Sequence, residues 1–242
     1  WEFRANGEEG TVQRAAAALR ERWTAITGTG QVTPIDWDGE TIQAGGVTVL
    51  HGDCAARNKE PVLLNTLTAL MQGGRERIVV QTPYIICNRA MYDALEKTAG
   101  AAQVQIITNA PQSGANPWGC ADYLNQRKTI LSTGASVCEW HGERSMHTKT
   151  ILIDDRFSII GSFNWDMRSA YLDTELMLLV DCPELNAALR AETDEMVRQG
   201  RLLLPDGTAV EGAAYTAPEM PLYKKLLQPV LRVVIRPFRY VL

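Results

Sequence analysis

An imidazole and an ammonium group lie two residues apart in the sequence, at His147 and Lys149. The sequence of this stretch favours an extended conformation, in which side chains at positions i and i+2 point to the same face. A nucleophile or proton carrier would then stand beside a fixed positive charge, which suits attack on a phosphodiester. A small polar turn containing Gly161, Ser162 and Asn164 follows shortly afterwards.

These residue types can divide the work of phosphoryl transfer. A neutral imidazole at His147 can attack phosphorus and form a covalent phosphohistidine, and a second proton-bearing group must then protonate the leaving oxygen. Lys149 would stabilise the charge on the non-bridging oxygens, and Asn164 and Ser162 would donate hydrogen bonds to them. Gly161 would let the backbone turn tightly beside the phosphate. This chemistry requires no metal, and we expect no cofactor.

Composition excludes little. The chain has 242 residues, enough for one large or two small domains with a buried core. Its net charge of -4 gives no general reason to expect nucleic acid as a partner. The five cysteines form no CxxC pair and have no histidines at zinc spacing, which argues against a metal site and favours a reducing compartment. No apolar run reaches the roughly 18 residues that a membrane-spanning helix needs.

Apolar patterning predicts strands that alternate with helices through the middle of the chain. Strands are expected at residues 47–50, 77–82, 104–108, 135–140, 148–153, 156–160 and 173–180. Helices are expected at residues 10–27, 60–71, 89–99, 117–132 and 183–198, with an irregular connector or short hairpin at 28–46. This order predicts an α/β fold in which helices sandwich a mixed β-sheet.

The complete pattern is His147-x-Lys149-x4-Asp154-x6-Gly161-Ser162-x-Asn164. It resembles the signature of the phospholipase D superfamily, known as the HKD motif. Over about residues 60–181, the chain is most similar to the C-terminal half of bacterial cardiolipin synthases. Three further stretches carry that similarity: Thr82-Pro83-Tyr84, the run from Trp165 to Ser169, and Asp173-Thr174-Glu175.

The resemblance implies roles for three more residues. Glu175 falls where the family has its acidic partner, so it would accept a hydrogen bond from His147 and stabilise the imidazolium. Asp154 completes the signature, but residues at that place look structural in the family. Its odd spacing from His147 would point it away from the imidazole, so we assign it to a supporting ion pair or turn. Tyr84, after a strand and a proline, would line the mouth of the pocket.

The other two histidines lack this context. His51 is interpreted as a surface or core histidine, and His141 as a lesser candidate for lining the pocket.

The resemblance implies a site built from two signatures, one histidine attacking and the other protonating. This chain contains one such signature. It begins with Trp1 and has no charged apolar leader, so we interpret it as the C-terminal half of a two-signature enzyme. The alternative is a one-signature protein that forms its site in a twofold homodimer.

Three segments are expected. Residues 1–56 would form a linker and N-terminal helix from the other half, and residues 57–200 a phospholipase D-like domain with one HKD motif. Residues 201–242 would form a C-terminal extension. Its helical apolar period and interleaved cations fit a basic amphipathic helix on an anionic membrane, or a helix docked on the core with a solvated basic face. Pro229 and Pro237 would bend or interrupt either helix.

The predicted function is phosphatidyl transfer of the cardiolipin-synthase type, with a phosphatidylglycerol-like substrate. The resemblance implies peripheral binding to the cytoplasmic face of the bacterial cytoplasmic membrane. Hydrolysis, as in phospholipase D, is the same mechanism with water as acceptor. A nuclease or phosphodiesterase of the superfamily is the alternative, although the acidic balance argues against nucleic acid. A further alternative is a catalytically incomplete module that binds a membrane or a protein partner.

Overall fold

The computed structural model describes residues 9–27, 35–54 and 59–242. The chain divides into two units, Trp1–Ile42 and Gln43–Leu242. The first unit contains the helices α1 (Glu9–Thr27) and α2 (Trp37–Glu40). Part of the connector predicted at residues 28–46, and the domain boundary predicted near residue 56, lie outside the described residues.

The second unit alternates strands and helices as the apolar patterning predicts. Its strands are β1 (Gly46–His51), β2 (Arg77–Gln81), β3 (Ile85–Ile86), β4 (Gln103–Asn109), β5 (Ser136–Trp140), β6 (Thr150–Ile153), β7 (Phe157–Gly161), β8 (Trp165–Asp166), β9 (Leu176–Asp181), β10 (Arg201–Leu203) and β11 (Ala209–Glu211). Its helices are α3 (Val62–Gly73), α4 (Arg89–Ala99), α5 (Pro117–Ser132), α6 (Met167–Tyr171), α7 (Pro183–Gln199) and α8 (Leu222–Val234), followed by a 3-10 helix (Arg236–Val241).

A nine-stranded sheet organises this unit, in the order β1-β9-β7-β6-β2-β4-β5-β10-β11. The strands β2, β4 and β5 run parallel to one another, and the other neighbours in this sheet are antiparallel. Successive residues of a strand face opposite sides, so Val80 packs into the core on the side of α3, α4 and α5, whereas Val79 packs with residues of α7. Helices therefore cover both faces, which confirms the predicted fold class.

The sheet extends past both boundaries predicted for the central domain. Strand β1 pairs with β9 from Gly46↔Asp181 to His51↔Leu176, and β10 pairs with β5 at the other side of the sheet. Strand β1 corresponds to the strand predicted at residues 47–50, whereas β10 is short and joins the sheet through backbone hydrogen bonds that the apolar pattern does not reveal.

Two strands begin two or more residues later than predicted, and both differences fall beside the signature. Strand β6 starts at Thr150, because the last backbone bond from the end of β7 runs from Gly161 N to Lys149 O at 3.2 Å. Strand β9 starts at Leu176, because the Asp173 N–H turns back to the carbonyl of Arg168, at 2.9 Å, as α6 ends. The residues around the site therefore lie in loops that leave the ends of the strands.

The C-terminal segment docks on the domain, as one of the two sequence interpretations expected, but many of its apolar side chains face away from the domain. Basic side chains face the domain: Lys224 donates to the carbonyls of Gln112 and Gly114, and Arg239 donates to Asp122 at 3.0 Å. The apolar side chains of α8 are exposed instead. Hydrogen bonds to carbonyls and to a buried carboxylate fix Lys224 and Arg239 toward the domain, whereas Lys225, Arg232 and Arg236 are exposed, so the expected solvated basic face is present only in part. No helix in the described ranges has the length and apolar character needed to cross a membrane.

Candidate active site

His147 lies in the loop that leads into β6, where the side chain of Asn109 fixes the preceding backbone. The Asn109 side chain accepts from Met146 N at 2.8 Å and donates to Met146 O at 2.9 Å. Asn109 is buried and ends β4, whereas His147 is exposed. A rigid strand end therefore holds a solvent-accessible imidazole in place.

Lys149 contacts His147 directly, as the i, i+2 spacing predicts. The Lys149 ammonium lies 3.0 Å from His147 Nδ1 and 2.7 Å from the His147 carbonyl oxygen. An ammonium only donates, so Nδ1 accepts and the neutral ring carries its proton on Nε2. Partial burial, and then the charge of Lys149, lower the pKa of His147 below its usual 6.5. The imidazole is therefore mainly neutral at neutral pH.

Lys149 is a buried cation with carboxylates nearby. Its residue is only 7% exposed, and burial lowers the pKa of its ammonium. The charges of Glu175 and Asp166 act in the opposite direction and raise the Lys149 pKa. Two buried carboxylates thus compensate the charge of Lys149 beneath the imidazole.

Glu175 is buried near this cluster, but its hydrogen bond differs from the predicted one. Ser169 Oγ donates to Glu175 Oε1 at 2.8 Å, and no bond from His147 to Glu175 is formed among the described residues. The predicted imidazole–carboxylate contact is therefore absent in this arrangement. Nδ1 of His147 faces the ammonium of Lys149 instead.

The turn after β7 presents one free amide oxygen. Asn164 Oδ1 is buried and has no hydrogen-bond partner, and the Asn164 backbone N–H donates to Ser169 Oγ at 3.2 Å. The Ser162 hydroxyl is occupied: it bonds the N–H and carbonyl of Leu176 at 3.0 and 3.2 Å. The Asn164 amide nitrogen, which is the atom that can donate to a phosphate oxygen, forms no hydrogen bond within the described residues, so it stays available as a phosphate ligand. The Ser162 hydroxyl instead joins the turn to the start of β9.

Gly161 is required by the close approach of β7 to β9. A Cβ at Gly161 would lie 2.2 Å from the carbonyl oxygen of Leu176 and 2.8 Å from Met177 Cα. Any side chain would push these strands apart, so glycine is needed for the close pairing of β7 with β9 as well as for the turn.

Tyr84 lies beside the imidazole of His147. Its ring lies edge-on to that of His147, with 6.2 Å between centroids and 75° between the ring planes. Thr82 fixes the Tyr84 loop, since its hydroxyl donates to Tyr84 O at 2.7 Å and accepts from Trp165 N at 3.0 Å. Burial, followed by the charges of Cys120 and Asp166, raises the Tyr84 pKa, which keeps the phenol protonated.

Asp154 lies at the other end of β6, away from His147, in the turn to β7. Its carboxylate accepts backbone N–H bonds from residues Arg75, Glu76 and Arg77, with shortest distances of 3.0, 2.9 and 3.1 Å. These bonds lower the Asp154 pKa, although burial opposes them. Its placement with the catalytic residues of the signature is not supported, because its carboxylate is committed to the loop before β2.

Three buried residues of this cluster had no role in the sequence interpretation. Asp166 caps α6 by accepting Ser169 N at 2.7 Å, Ser169 links Asn164 to Glu175, and Asn109 holds the loop before His147. Two signals in the sequence point to them. Asp166 and Ser169 have the spacing of a helix N-cap, and Asn109 is a polar residue at the carboxyl end of a buried strand.

Ser169→Ala tests the link between Asn164 and Glu175. We expect it to lower the free energy of unfolding by about 1–2 kcal/mol, because it leaves Glu175 and the Asn164 N–H without their shared partner. Urea denaturation measures the loss. Ser132→Ala, at an exposed serine of α5, is the control and should change stability by less than about 0.5 kcal/mol. Equal stability of the two variants would contradict this role.

The other two histidines, His51 and His141, lie in different surroundings. His51 is exposed, and its Nδ1 lies 2.9 Å from the Gly52 carbonyl, while His141 is half-buried with an unpaired Nδ1. Within the described residues, no three His, Cys, Asp or Glu side chains are placed to hold a metal ion.

Comparison with known proteins agrees with the fold. The family described as cardiolipin synthase, PLD-like domain, matches residues 67–197, just over half of the chain. The solved structure of Nuc from Salmonella typhimurium, a phospholipase D family member, superposes with a TM-score of 0.54 at 16% identity, over 66% of this chain and 99% of that one. The phosphatidylserine synthase of Haemophilus influenzae Rd KW20 gives 0.57 at 16% identity, over 99% of this chain and 56% of that one. The chain therefore belongs to the phospholipase D superfamily, in the family of cardiolipin synthase PLD-like domains.

Curated relatives in the same family are much longer. The cardiolipin synthase A proteins of Shigella dysenteriae and Salmonella arizonae are each 26% identical to this chain over 164 residues. Each match covers 66% of this chain and 33% of the relative. The chain thus spans about a third of their length.

Proposed function

We propose that this chain supplies one half of a phosphatidyltransferase site, in which His147 serves in phosphodiester transfer between phospholipids. The observation that carries the proposal is the contact between an exposed neutral imidazole and a buried ammonium, 3.0 Å from Nδ1 to Nζ, in a chain of this family. An uncharged nucleophile avoids repulsion by the anionic phosphodiester, and a cation beside it attracts the non-bridging oxygens.

The proposed first step is attack by an imidazole nitrogen on phosphorus. The N–P bond forms as the bond to the leaving alcohol oxygen breaks, and a second acid protonates that oxygen. Lys149 stabilises the charge on the non-bridging oxygens, with Asn164 as a further ligand. In the second step, the hydroxyl of another lipid attacks phosphorus, gives its proton to that second group, and releases the imidazole. Water in place of the lipid hydroxyl would give hydrolysis.

The second acid–base group is proposed to come from another copy of the signature. It would belong to the same full-length protein or to a homodimer partner, since this sequence contains a single histidine–x–lysine pattern. Whether His147 or that second histidine makes the covalent bond depends on their relative pKa values. The low pKa of His147 supports the role of nucleophile.

A phospholipid substrate is favoured by the names of the curated relatives, which are cardiolipin synthases. A phosphatidylglycerol-like lipid supplies both the phosphodiester and an acceptor hydroxyl. The proposed reaction therefore takes place at a membrane surface, and we propose the cytoplasmic face of a bacterial cytoplasmic membrane.

Product analysis with phosphatidylglycerol tests this assignment. We expect the assembled two-signature enzyme to give cardiolipin and glycerol. Phosphatidic acid as the main product would indicate hydrolysis, and turnover of DNA with none of lipid would overturn the proposal. We expect this chain alone, as a monomer verified by sedimentation, to have weak or no activity. Robust turnover by such a monomer would contradict the half-site.

A further inference from the structure

The C-terminal segment exposes a row of large apolar side chains. In α8 they recur at intervals of three and four, so they share one face of the helix. We call this set the apolar face of the tail: Leu222, Leu226, Val230, Val233, Phe238 and Tyr240. Their exposed fractions range from 51% to 72%. Such a concentration of exposed large apolar side chains in one segment is a feature of surfaces that meet a partner or a membrane.

Polar contacts on the opposite side of the segment fix this orientation. Lys224 donates to two backbone carbonyls, and Arg239 donates to Asp122. The Asn125 side chain accepts a hydrogen bond from Arg232 Nε and donates one to the Arg232 carbonyl. Asp122 has a fully buried side chain, so breaking its pair with Arg239 would leave a charge unpaired in the interior. The domain therefore holds the apolar face outward rather than merely failing to bury it.

The segment is strongly cationic in an acidic protein. It contains five cations and no acid after Glu219, whereas the whole chain has a net charge of -4. Of the five, Arg239 forms an ion pair with a carboxylate. Lys225 and Arg236 are exposed and form no ion pair within the described residues. Exposed apolar groups flanked by uncompensated cations complement an anionic lipid surface, which offers both a hydrocarbon layer and negative head groups.

The segment also lies beside the candidate active site. A cavity of about 160 Å³ separates α8 from the start of α5 and is lined by Trp118, Leu227 and Leu231. Its neighbour in α5, Gly119, packs against the ring of Tyr84, which contacts His147. At its other end, the segment accepts a hydrogen bond from Arg168 N, in α6, at the Leu242 carbonyl.

We propose that the apolar face of the tail inserts into the surface of an anionic lipid bilayer and brings the His147 site to the head groups. Lys225 and Arg236 pair with lipid phosphates at the rim of the inserted face. Binding does not depend on catalysis, so it can be separated from the proposed phosphatidyl transfer. A second copy of the chain is the competing occupant of this face.

Flotation with vesicles tests the proposal. We expect the chain to bind vesicles of equal parts phosphatidylglycerol and phosphatidylcholine at least about tenfold more strongly than pure phosphatidylcholine. The double variant Leu226→Asp/Val230→Asp should lose about tenfold or more of this binding. Val62→Asp, at a valine of α3 that is 50% exposed, is the matched control and should bind normally. His147→Ala should also bind normally, which distinguishes this proposal from the catalytic one.

A second variant guards against misfolding. Lys225→Gln/Arg236→Gln removes two exposed charges, so circular dichroism should be unchanged while binding to anionic vesicles falls and loses its dependence on salt. Unchanged vesicle binding by both double variants would overturn the proposal. Sedimentation without lipid gives a second decisive result. A dimer for the parent chain and a monomer for Leu226→Asp/Val230→Asp would also overturn the proposal, because the apolar face of the tail would then join two copies of the chain.

Discussion

His147→Ala is expected to lower phosphodiester turnover by the assembled enzyme at least about a thousandfold, because the proposed covalent nucleophile is lost. The measurement is kcat/KM with phosphatidylglycerol, and with a soluble nitrophenyl phosphodiester as a second substrate. His51→Ala, at an exposed histidine outside the cluster, is the control and should retain parent activity. Comparable turnover by His147→Ala would favour a non-catalytic module that keeps the fold.

The same histidine sets a pH dependence. The His147 pKa lies below 6.5, first because of burial and then because of the charge of Lys149. Protonation removes the lone pair, so activity should be present above this lowered pKa and be lost as the pH falls through it. Lys149→Met removes one of the two causes. It should therefore move the acid limb of the profile upward, toward 6.5, as well as lowering the rate. An acid limb at the same pH in both proteins would contradict this electrostatic coupling.

Asp154→Ala should lower the free energy of unfolding and leave the catalytic rate of the folded protein unchanged. The change removes the acceptor of three backbone N–H groups, and it leaves alanine with a φ of 46°, a left-handed conformation that alanine disfavours. We expect a loss of about 2–4 kcal/mol in the free energy of unfolding, measured in urea. Asp154→Asn should lose less, because asparagine tolerates this backbone and keeps one acceptor oxygen.

Folded Asp154→Ala protein should retain the parent kcat. A thousandfold loss without a loss of stability would return Asp154 to the catalytic group. The stabilisation should also depend on pH in a defined direction. The Asp154 pKa is lowered below 3.8, so its contribution is present above 3.8 and is lost as the pH falls through the folded-state pKa. The stability difference between parent and Asp154→Ala should therefore shrink at strongly acidic pH.

Periodicity was sufficient to predict the layered fold. Strands such as β2 and β4 are buried on both faces, so their continuous apolar runs reflect real burial between helices. The helix starts predicted at residues 89 and 117 also agree with the structure, in which the side chains of Asn88 and Asn116 accept hydrogen bonds from the first turns of α4 and α5. Short strands such as β10 and β11 escaped prediction, because edge pairing depends on backbone groups that every residue carries.

The candidate site was predictable where spacing alone decides geometry. The contact between His147 and Lys149 follows from the two-residue period of an extended chain. The hydrogen-bond partner of Glu175 could not be predicted from spacing. Ser169 approaches Glu175 from α6, and the position of α6 depends on the Asp166 cap and on tertiary packing. The orientation of the tail helix on the domain could not be predicted from the sequence for a similar reason. Its helical period shows which side chains share a face, but the buried Asp122 decides which face turns inward.

The contact between Lys149 and His147 affects when the imidazole is free to react. While the ammonium donates to Nδ1 and the proton sits on Nε2, neither ring nitrogen presents a free lone pair. In the proposed mechanism, an arriving anion competes for the same ammonium and so frees Nδ1. We therefore expect the proposed nucleophile to be blocked by Lys149 in an empty site and to become available when a negatively charged substrate binds.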